Sequence, residues 1–194
     1  MAATDSKIQG FLENNRKFAE TWKTPPTMEQ IRVFTKQAGG GFIILTCLDP
    51  RCVPEKFFGP AFDAAVYRNA GGRATKDAIT SITVLQSLVN VQAVLVVHHT
   101  GKRSLLPIAI WGWGHCGVTH LTDDQIRKEA KARTPDAAEE IDATESYGCI
   151  DAADFDKTIK VDVETLRSSK VLAEVEIRGL ALDTETGLVR ELEI

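Results

Sequence analysis

Apolar residues recur along the chain in two rhythms, and each rhythm predicts a different kind of element. The runs 42–46 and 93–97 are apolar without alternation, which is typical of parallel strands buried on both faces. Residues 75–89 place apolar side chains three and four positions apart, which predicts a helix with one buried face. Similar patterns predict strands at 64–67, 174–182 and 188–193, and helices at 5–23, from Thr27, at 53–59, 122–133, 136–146 and 154–168.

Strands and helices alternate in this order, which predicts an α/β fold with a mostly parallel central sheet flanked by helices. Residues 1–38 are expected to form an N-terminal helical arm, and residues 39–194 a single α/β domain. The last strand returns after the turn at Thr186-Gly187, so we expect it to be an antiparallel edge strand. The helix from Thr27 is expected to bury one side, made of Met28, Ile31, Val33 and Phe34.

Composition narrows the classes of function. The 194 residues are 43% hydrophobic and 26% charged, which is typical of a water-soluble globular protein. A net charge of −4 argues against a nucleic-acid partner, and no apolar stretch is long enough to predict a membrane span. The first residues carry no pattern of a secretion or transit signal, so we expect a cytoplasmic protein.

Candidate chemistry lies at the ends of the two buried strands. Cys47 follows the first strand and opens Cys47-Leu48-Asp49-Pro50-Arg51, the second strand ends in His98-His99, and Cys116 comes later. Thiolates and imidazoles delivered to one edge of a sheet predict a zinc site with a fourth position open to water. In a cytoplasmic protein, metal binding is a better expectation for these cysteines than disulfides, whereas Cys52 and Cys149 are expected to be ordinary buried thiols.

These motifs resemble the β-class carbonic anhydrases, in particular the short, plant-type-like branch of fungi and bacteria. The resemblance covers roughly residues 40–190 and is carried by three motifs in order: Cys47-x-Asp49-x-Arg51, Arg68-Asn69-Ala70-Gly71, and His98-His99-Thr100 before Cys116-Gly117. It implies a Zn²⁺ ion held by Cys47, His99 and Cys116. It also implies that Asp49 and Arg51 form the catalytic pair beside the metal.

The activity implied by this resemblance is reversible hydration of carbon dioxide to bicarbonate and a proton, because zinc makes hydroxide available near neutral pH. Arg51 is expected to hold Asp49, which accepts a hydrogen bond from the water on the metal. If Arg51 releases it, Asp49 could ligate the metal itself and close the site. The alternative role for the pair is a salt bridge that caps the following turn. We expect activity to rise toward alkaline pH, because two thiolates reduce the acidity of the water.

One departure from the family pattern separates His99 from Cys116. The family places the histidine three residues before the second cysteine, whereas residues 102–115 intervene here and are interpreted as an insertion. The insertion could bulge outward and leave the three ligands together, since closing a longer loop costs little extra free energy. Alternatively it could pull Cys116 away, with Asp49 or water completing the shell, or with His115 as a substitute ligand.

Three functions therefore stay open: carbon dioxide hydration, hydrolysis of carbonyl sulfide or carbon disulfide at the same site, and a weakly active or inactive homologue whose zinc site the insertion disrupts. The resemblance also implies a homodimer or larger homo-oligomer. In addition, the N-terminal helix carries more apolar surface than a lone helix needs. Secondary roles are expected for several other residues: packing or support of a metal ligand for His98, a surface or pocket position for His120, and structural or dimer-interface charges for Arg68 and Arg73. Gly71 and Gly72 are expected either to let backbone approach the substrate channel or to form a plain turn.

Overall fold

The computed structural model describes residues 2–100, 116–150 and 154–194, which form two compact units, Met1–Phe34 and Thr35–Ile194. The strands are β1 (Gly41–Cys47), β2 (Ala65–Asn69), β3 (Val91–Thr100), β4 (Glu176–Asp183) and β5 (Val189–Glu191). The helices are α1 (Ala2–Ala19), α2 (Met28–Gln37), α3 (Pro54–Phe57), α4 (Lys76–Val89), α5 (Asp123–Arg133), α6 (Ala138–Ala143) and α7 (Phe155–Arg167). The predicted elements are present, with ends that differ by a few residues. The predicted insertion, 102–115, lies outside the described residues.

The five strands form one sheet in the order β2-β1-β3-β4-β5. Neighbouring strands from β2 to β4 are parallel, whereas β5 pairs antiparallel with β4 and forms one edge. The predicted α/β class, the mostly parallel sheet and the antiparallel edge strand are therefore confirmed.

This strand order creates a topological switch point between β1 and β3. The chain leaves β1 toward β2 on one side, and leaves β3 toward β4 on the other side. The two connections diverge, which opens a crevice outside the carboxyl ends of β1 and β3, the usual place for a ligand in an open α/β sheet. Cys47 ends β1 and His99 lies at the end of β3, so both residues reach this crevice.

Each face of the sheet has its own apolar cluster. On one face, α4 and α7 cover the sheet and bury Ile82, Ile159 and Val163 against Val94 and Val96. The opposite face holds a smaller cluster that includes the three buried cysteines: Ile44, Cys47, Cys52, Val97, Cys116, Leu180 and Leu182. Because successive residues of a strand face opposite ways, His98 and His99 belong to different faces.

The first unit differs from the prediction in one respect. α2 has no buried residue, and Met28, Val33 and Phe34 are exposed, so the expectation that they face the core was wrong. The apolar spacing produced the helix, but burial also requires a covering surface, which pattern alone does not report. α1 and the segment after it likewise expose Phe11, Phe18 and Trp22, each with more than half of its area open to solvent. Among the described residues, no helix combines the length and apolar content needed to cross a bilayer.

Close contact between α7 and β4 depends on a residue without a side chain. A Cβ atom at Gly179 in β4 would lie 2.7 Å from Ile159 Cγ2 in α7 and 2.7 Å from Ile194 Cδ1. Real Cβ atoms do not approach carbon atoms so closely, so with any larger residue these side chains or the helix must shift.

We therefore expect Gly179→Ala to destabilise the fold by about 1–3 kcal/mol, the usual cost of overpacking a core. Thermal unfolding followed by circular dichroism measures the effect. Gly10→Ala in α1 is the control, because its added methyl group meets nothing within 4 Å and alanine favours helix. An unchanged melting temperature for Gly179→Ala would contradict the packing described.

Candidate metal centre

Three buried side chains meet at the crevice between β1 and β3. Cys47, His99 and Cys116 are each at most 4% exposed, and one ligand atom from each lies within 4.8 Å of the others. The Sγ atoms of Cys47 and Cys116 are 3.5 Å apart. Two thiolates on one tetrahedral zinc ion would be about 3.8 Å apart, given Zn–S bonds of about 2.3 Å. The group could therefore hold a metal ion with little movement.

His99 supplies independent support for a ligand at this point. Both of its ring nitrogens are buried, and neither has a hydrogen-bond partner among the described residues. Burying such a group without a partner costs free energy, on the order of 1–3 kcal/mol for each unsatisfied atom. His99 Nε2 lies 3.7 Å from Asp49 Oδ2, too far for a hydrogen bond. A metal ion is a partner that this nitrogen environment fits.

The two thiols titrate as a pair. The contact with Cys116, together with His99 and the backbone N–H of Asp49, lowers the pKa of Cys47 to about 4, although burial opposes this change. The same sulfur–sulfur contact, together with burial, raises the pKa of Cys116. A metal ion that binds both sulfur atoms must displace the proton of any thiol that is still protonated.

The loop after β1 is held by backbone contacts that fix Cys47. Arg68 on β2 donates from Nε to the Cys47 carbonyl (3.0 Å) and from a terminal nitrogen to the Asp49 carbonyl (2.6 Å). The N–H of Leu48 donates to the carbonyl of Asn69 at 2.9 Å. Arg68 therefore has the structural role expected for it, as a clamp on the loop that carries Cys47 and Asp49.

The end of β3 is anchored in a similar way. The carbonyl of Thr100 accepts hydrogen bonds from the N–H (3.1 Å) and the hydroxyl (2.7 Å) of Thr184, just beyond β4. Earlier in the strands, the Thr46 hydroxyl donates to the Val97 carbonyl at 2.8 Å and joins β1 to β3. His99 is therefore presented by a strand end that is fixed on both sides.

Asp49 and Arg51 form a two-pronged ion pair beside the three donors. Arg51 donates from Nε to Asp49 Oδ1 at 2.9 Å and from a terminal nitrogen to Oδ2 at 2.6 Å. The Arg51 N–H also donates to Oδ1 at 2.9 Å. These hydrogen bonds lower the pKa of Asp49 to about 2, so the carboxylate is ionised near neutral pH. Its Oδ2 lies 3.7 Å from His99 Nε2.

A glycine turn packs directly behind Cys47. Gly71 and Gly72 both have positive φ, and a Cβ atom on Gly72 would lie 3.0 Å from the Cys47 nitrogen. The close approach that Gly72 makes is therefore to the backbone at Cys47. Gly71 instead lines an open cavity of about 280 Å³ with Cys47, Leu48, Asp49, Ala70, Cys116, Gly117 and Val118.

The other described residues singled out from the sequence are not members of this three-residue group. Cys52 is fully buried, and burial raises its pKa to about 12, as befits an ordinary core thiol. Cys149 is half-buried, and His120 lines a separate cavity. His115 lies outside the described residues. His98 is buried beside Asp162 of α7, a residue that carries no sequence motif and was not predicted.

Sequence comparisons place this geometry in context. No family model matches the chain. β-carbonic anhydrase 1 of Mycobacterium tuberculosis is 25% identical, with 99% of both chains aligned. Carbon disulfide hydrolase of Saccharolobus solfataricus is 34% identical over 86 residues, which are 44% of this chain and 35% of that protein.

Solved structures give the same answer for the fold. Carbonic anhydrase from Streptococcus mutans has a TM-score of 0.73, with 24% identity over 96% of this chain and 97% of that chain. One of two tetrameric β-carbonic anhydrases from Sordaria macrospora has a TM-score of 0.55, with 19% identity over 97% of this chain and 98% of that chain. The resemblance noted in the sequence is confirmed: this chain is similar to a β-carbonic anhydrase over its full length and has the fold of that class.

We expect Gly72→Ala to weaken Zn²⁺ binding by on the order of tenfold, because the added methyl group displaces the backbone of Cys47. Competition with a chromophoric chelator measures the affinity. Gly187→Ala is the matched control, since Gly187 has almost the same φ (+73° against +72°) but its Cβ would meet nothing within 4 Å. Equal affinity in the two variants would contradict a role for this contact in placing Cys47.

Proposed function

We propose that this protein is a zinc-dependent carbonate dehydratase, which interconverts carbon dioxide and bicarbonate. The proposal is supported by the cluster of Cys47, His99 and Cys116, which are buried and have ligand atoms within 4.8 Å of one another. Neither nitrogen of His99 has a hydrogen-bond partner in the part of the chain that the structure describes. In this proposal the three side chains are the protein ligands of one Zn²⁺ ion. Full-length similarity to a β-carbonic anhydrase supports the assignment.

When bound, zinc would acidify a coordinated water and so supply hydroxide near neutral pH. Residues of the chain itself would orient the water and admit carbon dioxide. Asp49 is ionised and can only accept hydrogen bonds, so it would orient a water beside the metal. Arg51 holds both carboxylate oxygens, which keeps Asp49 from turning toward the metal. We assign Asp49 and Arg51 as the catalytic pair on this basis.

The cavity beside the donors suits a small substrate of low polarity. Its walls include Leu48, Ala70, Gly71 and Val118. Its charged member is Asp49, and the negative charge of this carboxylate is balanced by Arg51. Carbon dioxide has no net charge or dipole, so an apolar wall next to the metal suits it. We also propose that the protein is located in the cytoplasm.

Hydrolysis of carbonyl sulfide or carbon disulfide is a second candidate, favoured by the similarity to a carbon disulfide hydrolase over 86 residues. The two reactions would use the same metal ligands but release different products. An electrode for hydrogen sulfide, used with carbonyl sulfide or carbon disulfide as substrate, separates this reaction from proton release on hydration of carbon dioxide.

A third candidate is a homologue whose activity is reduced by residues 102–115. Deleting these residues restores the spacing His99-Thr100-Gly101-Cys-Gly, which matches the family pattern. A gain of zinc and activity in the deletion variant would support this candidate. A loss of both would show that the segment belongs to the working site.

We also propose that the protein forms a homodimer or a larger homo-oligomer. The unit Met1–Phe34 exposes large apolar side chains, among them Phe11 at 62%, Phe18 at 64% and Trp22 at 61%. A concentration of exposed aromatic residues favours association. Because one solved structure that this chain resembles is tetrameric, we propose that a second copy of this chain covers these side chains.

We expect the purified protein to contain about one zinc ion per chain and to hydrate carbon dioxide in a stopped-flow pH-indicator assay. Cys47→Ser should lose most of the metal and the activity, because a hydroxyl is a much poorer zinc ligand than a thiolate. Cys52→Ala is the matched control. It removes another buried cysteine of the same cluster, one that lies outside the ligand set, and should keep both properties.

Zinc content that is equal in Cys47→Ser and Cys52→Ala would overturn the ligand assignment. A protein with one bound zinc ion and no hydration of carbon dioxide would overturn the proposed activity alone.

For the assembly, we expect the wild type to have at least the mass of a dimer in sedimentation velocity at micromolar concentration. The double variant Phe11→Glu/Phe18→Glu should shift toward the monomer, since burying two carboxylates at an interface is costly. Val171→Glu alters an exposed apolar residue of the second unit and serves as the control. A wild type that sediments as a monomer would contradict the proposal.

A further inference from the structure

α7 carries a buried carboxylate that the metal chemistry does not use. Asp162 is 2% exposed. Its Oδ2 accepts a hydrogen bond from Arg73 Nε at 2.8 Å, and its Oδ1 accepts one from the Ala74 N–H at 3.0 Å. His98 Nε2 lies 3.1 Å from Oδ2, within ion-pair range but off the line of a good hydrogen bond. Burial alone would raise the pKa of Asp162, but His98, Arg73 and Ala74 together lower it.

The first connection from Asp162 to the metal site runs along β3. His98 precedes His99, and the two side chains face opposite sides of the sheet. Both rings are 1% exposed, so neither can turn without disturbing the core. Asp162 therefore holds one side of the strand end whose other side presents His99.

The second connection runs through Arg73 to Cys47. The Asn69 side chain closes the turn at Ala70–Gly72: its amide donates to the Arg73 carbonyl (2.8 Å), and its oxygen accepts from the Arg73 N–H (2.7 Å). Gly72 in this turn lies against the backbone of Cys47. Because Asp162 holds Arg73, it also holds the turn that packs against Cys47, the second proposed metal ligand.

We propose that Asp162 is a positioning residue for the metal site: it ties the end of β3 that carries His99 to the turn that supports Cys47. This inference rests on the proposed function, because it assumes that these residues bind the metal. A buried carboxylate with an arginine is a costly arrangement for stability alone, since well-packed apolar residues often stabilise a core at least as well. Apolar packing would fix the relative positions of two metal ligands less specifically than this ion pair does.

The test compares Asp162→Asn with Val163→Ala. Asparagine keeps the shape and an oxygen for the Ala74 N–H but removes the charge that holds Arg73 and His98. Val163 is the next residue of α7 and is fully buried in the core, so its truncation lowers stability through packing. Both variants are studied below the temperature at which either begins to unfold.

We expect Asp162→Asn to bind Zn²⁺ about 10- to 100-fold more weakly than the wild type in competition with a chromophoric chelator. The visible absorption spectrum of the Co²⁺-loaded protein should also change, because it reports the arrangement of the ligands. Val163→Ala should keep wild-type affinity and a wild-type spectrum despite its lower melting temperature.

A second pair of variants covers the case in which Asp162→Asn does not fold. His98→Gln keeps an N–H group at a similar reach, whereas His98→Leu removes it. We expect the glutamine variant to bind Zn²⁺ more tightly than the leucine variant.

The outcomes separate the two proposals. If Asp162→Asn keeps wild-type affinity and spectrum, or if the two His98 variants bind equally, Asp162 is only a structural residue and the positioning role is overturned. If the wild type itself binds neither Zn²⁺ nor Co²⁺, the proposed function fails as well.

Discussion

Three buried side chains, Cys47, His99 and Cys116, converge in the crevice between β1 and β3, and the geometry of the candidate site follows from this convergence. Among the described residues, neither ring nitrogen of His99 has a hydrogen-bond partner, and the Sγ atoms of Cys47 and Cys116 lie 3.5 Å apart. Each unsatisfied buried group costs free energy on the order of 1–3 kcal/mol. A soft divalent ion would replace this cost with coordinate bonds, which is why we propose a metal centre at this point.

Much of this arrangement could be predicted from local sequence patterns. Unbroken apolar runs identify β1 and β3 as parallel strands covered on both faces, and the three- and four-residue spacing identifies α4. Parallel strands end at the same edge of a sheet, so Cys47 and His99 could be expected to meet once β1 and β3 were taken as neighbours. The pair Asp49 and Arg51 could be expected from its spacing on a tight loop, and the structure joins it by three hydrogen bonds.

Other features depend on contacts that no local pattern records. Val33 and Phe34 have the spacing of a buried helix face but are exposed, because burial requires a covering surface. Asp162 contacts Arg73 across 89 positions of sequence, and a single aspartate in a helix gives no periodic signal. Cys116 could not be placed from its spacing, because residues 102–115 separate it from His99. Only the three-dimensional arrangement brings its sulfur to Cys47.

X-ray absorption at the zinc edge, on protein purified without chelators, would show whether Cys47, His99 and Cys116 bind one ion, because it reports the atoms bound to the metal. We expect two sulfur atoms at about 2.3 Å and one imidazole nitrogen at about 2.0–2.1 Å, with one lighter atom completing a four-atom shell. A shell of only oxygen and nitrogen atoms, or a single sulfur, would contradict this expectation, since Cys47 and Cys116 would then not share one ion.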